Sequence, residues 1–200
     1  MASPSPQLIA SGVLLLMCSL LVAATWSDLR HRRIPNVLVF AGTACALLLQ
    51  SALPQGNGFA SMLPGALGLS AALKGMGLAL LLLLPMYAMG ALGAGDVKLM
   101  AMVGAFLGAE MTLVCIVLTM AAGGFLIIGV TLHNGSLISM FANVRIMAVN
   151  SMHAVIEGRI PSFKHAPKSA GRVPYAVAIT CGTLACLSFV KLGYSDWLGL

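Results

Sequence analysis

Long stretches of apolar residues, interrupted by short polar or glycine-rich breaks, run along most of this chain. A helix that crosses a bilayer needs about 20 largely apolar residues, and most of the stretches approach that length. The pattern therefore predicts an all-α protein, a polytopic membrane helix bundle of about six transmembrane helices that forms one domain over residues 1–200. The predicted spans are residues 8–26, 37–53, 72–90, 97–109, 111–132 and 174–190.

The breaks between the spans predict the loops. Residues 27–36 form a short polar loop, and residues 54–58 are dense in turn-forming residues. Residues 61–72 are small and weakly apolar, so they either lie in the outer interface or begin the third span. The longest polar tract is the loop 133–172, in which apolar residues recur at helical spacing within residues 137–148. That spacing predicts an amphipathic helix in the inner membrane interface.

Composition supports the membrane assignment. Of the 200 residues, 60% are hydrophobic and 8% are charged, whereas soluble domains carry roughly 25% charged residues. We therefore expect an integral membrane protein that consists of one compact helix bundle, with the lipid bilayer as its surroundings.

The net charge is +6, and the placement of the basic residues predicts the orientation. Lys and Arg concentrate in the cytoplasmic loops of membrane proteins. Only Lys74 and Lys191 then lie outside, and the other nine basic residues lie inside. Those nine are Arg30, Arg32, Arg33, Lys98, Arg145, Arg159, Lys164, Lys168 and Arg172. Because they flank the spans without interleaved aromatic residues, nucleic acid is not an expected partner.

The cysteines and histidines do not predict a metal site or a cofactor. All five cysteines lie in apolar stretches, and none belongs to a C-x-x-C pair. The four histidines are scattered and form no H-E-x-x-H motif. We therefore interpret the cysteines as small buried apolar residues and expect no metal.

The acids are few, and this makes each one a candidate for function. A carboxylate near the bilayer centre costs about 2.5–3.5 kcal/mol, and acids within apolar segments commonly mark functional sites. Asp28 follows the first span and Asp96 follows the third, so the predicted topology places both at the cytoplasmic side. The alternative for Asp96 is a plain cap at the start of a helix, exposed to the headgroups. Spacing alone does not decide between the two.

Two carboxyl groups that lie close together cannot both ionise cheaply, so they share a proton at intermediate pH. One of them then acts as a base towards a water molecule, and the other donates a proton to a carbonyl oxygen. Gly93 and Gly95 lie just before Asp96. They would let the backbone adopt positive φ and let an extended substrate approach closely, although a plain turn would use the same glycines.

Two segments carry a resemblance to a known family. Asp28, Arg30 and Arg33 precede Ile34-Pro35-Asn36 just after the first span. The segment after the third span reads Gly93-Ala94-Gly95-Asp96-Val97-Lys98-Leu99. Together with the span count, the orientation and the tract Gly171-Arg172-Val173-Pro174-Tyr175-Ala176, they resemble the type IV prepilin peptidases, which are GxGD aspartic membrane proteases. The chain is most similar to the short form that serves tight-adherence (Flp) pili.

The resemblance implies an aspartic endopeptidase of the bacterial inner membrane that removes the short basic leader from prepilins or pseudopilins at the cytoplasmic face. It implies that Asp28 and Asp96 are catalytic. The residues that it implies as shaping the site or binding substrate are Gly93, Gly95, Lys98, Pro35 and Asn36. Longer members carry a cytoplasmic insertion with four cysteines and also N-methylate the mature pilin. The loop 27–36 is too short for that insertion, so we do not expect methyl transfer.

Two other functions are compatible with parts of the pattern. A small transporter or channel would use acidic residues to bind a proton or cation, but such residues are expected near the bilayer midplane rather than at one edge. A structural subunit of a secretion complex would leave the acids without a role. The sequence predicts neither the oligomeric state nor which prepilin is cleaved.

Overall fold

The structure, a computed structural model, describes residues 5–61, 63–133, 145, 149 and 174–193. The part of the chain that it describes is helical, with two isolated backbone bridges and no strand, which confirms the all-α prediction there. The helices are α1 (Pro6–His31), α2 (Asn36–Ala52), α3 (Leu69–Ala88), α4 (Ala94–His133) and α5 (Tyr175–Lys191). Helices α1, α3 and α4 are long and apolar enough to cross a membrane, whereas α2 and α5 are apolar but shorter. The count of six transmembrane helices therefore stays a prediction.

Helix α4 is broken at Gly108, whose backbone leaves helical geometry with φ 79° and ψ 177°. Asp96 and Met100, before the break, line the same small hollow as Thr119 and Met120, after it. In a straight helix Asp96 and Thr119 would lie about 35 Å apart, which is much too far for one small hollow. The two segments of α4 must therefore lie side by side, with the chain reversing near Gly108. Gly108 falls inside the span predicted at 97–109, next to its end.

Helix α3 and the first segment of α4 meet backbone to backbone. A Cβ atom added to Gly104 would lie 2.5 Å from the carbonyl oxygen of Gly75, and one added to Gly75 would overlap Gly104 and Gly108. Small residues four apart permit this close approach between membrane helices. The three glycines therefore fix the position of the segment of α4 that carries Asp96 relative to α3.

A buried glutamine secures the loop between α2 and α3. Gln50, only 1% exposed, donates from Nε2 to the carbonyl oxygen of Phe106 (2.9 Å) and accepts from the N–H of Leu67 (2.8 Å). The loop is irregular up to Gly68, where α3 is about to begin at Leu69. Residues 61–68 therefore precede the third helix rather than belong to it. The role of Gln50 is structural, because both ends of its amide are satisfied within the fold.

The first helix is longer than the predicted span. The sequence analysis ended this span at Trp26 and treated residues 27–36 as a loop, but α1 continues to His31. Arg30 and His31 are exposed in its last turn, where positive charge is favourable at a helix C-terminus. The helix ends at Arg32, which adopts left-handed geometry with φ 53°. Asp28 therefore lies on the last turn of a helix and not on a loop.

Most of the predicted cytoplasmic loop 133–172, with its amphipathic helix at 137–148, lies outside the described residues. Glu157 and Asp196, two of the five acids, also lie outside the described residues. So do Gly171, Arg172 and Val173, the first three residues of the tract 171–176 that forms part of the family resemblance.

Candidate functional site

Asp96 lies in the first turn of α4 and is half-buried. Its Oδ2 accepts a hydrogen bond from the N–H of Gly93 at 3.1 Å, so the side chain folds back over the helix start in the manner of a capping box. A Cβ atom on Gly93 would lie 2.9 Å from that oxygen. Glycine therefore gives the carboxylate room to fold back, and the capping interaction considered from sequence is present.

Asp28 is held by the opposite end of the chain. Its Oδ2 accepts a long hydrogen bond, 3.4 Å, from the N–H of Ala176 in the first turn of α5. One turn earlier on α1, the hydroxyl groups of Thr25 and Thr180 are hydrogen-bonded at 2.7 Å, and Thr25 also donates to the carbonyl oxygen of Ala176 at 3.3 Å. The last turn of α1 is thus attached to the start of α5.

The structure brings the two predicted aspartates to one place. Both adjoin the first turn of α5. Consecutive residues of α5 reach both of them, because Ala176 binds Asp28 and Tyr175 lines a hollow together with Asp96. Three elements therefore converge, namely the end of α1, the start of α4 and the start of α5.

Lys98 connects α4 to α2. Its Nζ donates to Oδ1 of Asn36 at 3.1 Å and lies 5.3 Å from the centre of the Phe40 ring, within the range of a cation–π interaction. Asn36 is the first residue of α2 and follows Pro35, which occupies the N-cap position without a side-chain hydrogen bond. The structure thus brings together three of the residues that the resemblance placed near the site.

Gly95 lies against the short connection between α1 and α2. A Cβ atom there would lie 3.3 Å from Cβ of Ile34, and the same connection is closed by a hydrogen bond from the hydroxyl of Ser27 to the carbonyl oxygen of Arg33 (2.9 Å). The expectation that Gly93 and Gly95 adopt positive φ is wrong, since neither is among the residues with positive φ. A side chain at either position would press on Asp96 or on Ile34.

Other features of the described residues do not compete with this site. No group of three or more His, Cys, Asp or Glu side chains is placed to hold a metal there. A cavity of about 650 Å³ lies at the other end of α3 and is lined by neither aspartate. Its charged lining residues, Lys74 and Glu110, are exposed.

Comparison with known protein families decides the broad identity. The model of the type IV leader peptidase family matches residues 15–128, which is more than half of the chain. The chain belongs to the type IV leader peptidase family. Neither a curated protein nor a solved structure matches it. The match confirms the resemblance seen in the sequence, and the family implies a membrane protease that acts on prepilin-type substrates.

The tract 171–176, which includes the first two residues of α5, was part of the sequence resemblance, but no role in the site of this leader peptidase was predicted for α5. The family match ends at residue 128, before Tyr175, and it includes both Asp28 and Asp96. The sequence signals were the hydroxyl-bearing residues Thr25 and Thr180, which interrupt apolar spans and proved to be partners. Sequence alone could not pair them, because they are 155 residues apart.

We predict that Lys98 in the leader peptidase mainly positions helices. Lys98→Met removes both the hydrogen bond to Asn36 and the contact with Phe40, so stability should fall by about 1 kcal/mol, while the KM for a prepilin changes less than about threefold. Thermal unfolding in detergent and cleavage kinetics measure the two effects. Asn36→Ala should destabilise similarly, and the double variant should lose less than the sum. A KM raised more than about tenfold at normal stability would instead show that Lys98 binds substrate.

Proposed function

We propose that this protein is an aspartic endopeptidase of the bacterial inner membrane, which removes the short basic leader from type IV or Flp prepilins or from pseudopilins. The observation that carries the proposal is the convergence of Asp28 and Asp96, which are 68 positions apart in the sequence and both adjoin the first turn of α5 in the fold. Both carboxyls are half-buried, so they are accessible to substrate yet partly shielded from solvent.

The chemistry follows from one proton shared between two carboxyls. The ionised carboxylate takes a proton from a water molecule, and the water oxygen attacks the carbon of the scissile peptide bond. The protonated partner donates to the carbonyl oxygen. When the tetrahedral intermediate collapses, the carbon–nitrogen bond breaks and a proton passes to the leaving amine. The titration belongs to the pair rather than to Asp28 or Asp96 separately.

The surroundings of the pair hold both acids in place for this reaction. The N–H of Gly93 fixes Asp96, and the N–H of Ala176 fixes Asp28. Each carboxyl sits at a helix end, so its position is set by regular backbone rather than by a loop. Well-fixed groups lower the entropic cost of reaching the transition state.

The proposed orientation places the aspartates at the cytoplasmic face. Arg30, Arg32 and Arg33 adjoin Asp28 and are exposed, and the positive-inside rule assigns such clusters to the cytoplasm. The lateral surroundings of the site are apolar helices. A prepilin whose apolar helix lies in the bilayer would therefore present its leader beside the two acids.

We further propose that methyl transfer is not part of the activity, because the connection between α1 and α2 is only residues 32–35. Membranes containing the wild-type protein should convert a tagged prepilin into a shorter product whose N-terminus, read by sequencing and intact mass, is unmethylated. An uncut prepilin under all conditions, together with proton or cation flux through reconstituted protein, would favour the transporter alternative.

Chelators should leave this cleavage unchanged within about twofold, because the two carboxyls supply both the base and the acid that the reaction needs. The measurement is the initial rate with and without EDTA, with a zinc metalloprotease in the same membranes as the positive control for chelation. A loss of activity that zinc restores would contradict the two-carboxyl mechanism.

A further inference from the structure

The first turn of α5 lies outside the stretch matched by the family model, yet it donates a hydrogen bond to Asp28 and lines a hollow together with Asp96. Tyr175 lines a hollow with Asp96 and Thr119. The hollow has a volume of only about 10 Å³, roughly the space that one water molecule needs. The side chains around it are therefore closely packed, and a shift of one must move its neighbours.

The ring of Tyr175 packs on Gly123, in the second segment of α4. A Cβ atom at Gly123 would lie 3.0 Å from Cε2 of the ring and 3.3 Å from its hydroxyl oxygen. Further along α5, a Cβ atom at Gly182 would lie 2.5 Å from the backbone nitrogen of Thr119. The two helices are thus in backbone contact, and this contact fixes where the first turn of α5 can lie.

We infer that Tyr175 is a positioning residue. Its ring packs on Gly123 and thereby holds the start of α5 so that Asp96 and Asp28 face one another. Ala176, the next residue, holds Asp28 through its backbone N–H. One turn of helix therefore holds Asp28 and packs beside Asp96. This inference rests on the proposed proteolytic function.

The contact between Gly123 and the Tyr175 ring gives a test in which a variant displaces Tyr175 without replacing it. Gly123→Val places a branched side chain against the ring, whereas a Cβ atom at the adjacent Gly124 meets no atom within 4 Å, so Gly124→Val is the matched control. We expect Gly123→Val to lower kcat for a prepilin by about 10–100-fold with little change in KM, since a displacement of about 1 Å can cost 10²-fold. Gly124→Val should cleave like the wild type.

Variants of Tyr175 itself separate its ring from its hydroxyl. Tyr175→Phe keeps the ring and should retain kcat within about threefold, whereas Tyr175→Ala should lose as much as Gly123→Val. In the Tyr175→Ala background, adding Gly123→Val should cause little further loss, because the two changes remove the same contact. A Tyr175→Phe enzyme as impaired as Tyr175→Ala, or fully additive losses, would overturn the assignment.

A second readout does not depend on cleavage. Carbodiimides modify protonated carboxyl groups, and the modification of Asp96 by a membrane-permeant carbodiimide can be followed by peptide mass spectrometry. We expect its rate to change at least about threefold in Gly123→Val and Tyr175→Ala, and to stay at the wild-type value in Gly124→Val and Tyr175→Phe. If the wild type cuts no prepilin, the proposed function fails while this readout still tests the positioning. Equal labelling in Gly123→Val and Gly124→Val would overturn it.

Discussion

Asp28→Asn and Asp96→Asn should each abolish removal of the leader from a prepilin, while the protein still inserts into the membrane at the wild-type level. Asparagine keeps the shape of the side chain but can neither take a proton from water nor share one with the other carboxyl. Loss of a positioned acid or base lowers the rate roughly 10²–10⁴-fold. Because the two carboxyls share one proton, the fall in rate on losing either of them should reach or exceed the upper end of that range. Gel mobility of a tagged prepilin, with quantification of both proteins, measures the effect.

The double variant should be no worse than either single one, since the two acids act as a unit. Glu110→Gln is the matched control: it also removes one carboxylate, but from an exposed position that lines the distant cavity, so cleavage should be unaffected. Normal cleavage by either aspartate variant would remove the mechanism and leave the family membership without its proposed catalytic pair.

The resemblance to the prepilin peptidases predicted that Asp28 and Asp96 act together, and two simple rules predicted that they lie at the same membrane surface. Apolar length sets the number of chain crossings between them, and the basic residues set which side each faces. These rules place both acids at one membrane surface without any knowledge of packing. The attachment of Asp28 to Ala176 could not be anticipated in this way, because it joins residues 148 apart through a backbone N–H that has no sequence signature.

Local details were harder to predict where two physical explanations share one residue pattern. Glycine before Asp96 fits both positive φ and close packing, and the structure supports the second. The basic residues after Trp26 fit both a loop and the last turn of a helix, and α1 continues to His31. Gln50 could not be interpreted from sequence, because its two partners lie on other elements.

Gly75→Leu should be the most destabilising single change in the described part of the bundle, because its side chain would have to occupy the backbone of Gly104 and Gly108. Overpacking a well-packed interior usually costs about 1–3 kcal/mol, and backbone atoms yield less than side chains, so the loss should reach at least the top of that range. Gly77→Leu is the matched control on the same helix, since a Cβ atom there meets nothing within 4 Å.

Size-exclusion chromatography of heated, detergent-solubilised protein should show Gly77→Leu surviving like the wild type and Gly75→Leu aggregating at a lower temperature or failing to assemble. Equal survival of the two variants would mean that α3 and α4 are not in backbone contact, and Asp96 would then lose the packing that fixes its place beside Asp28.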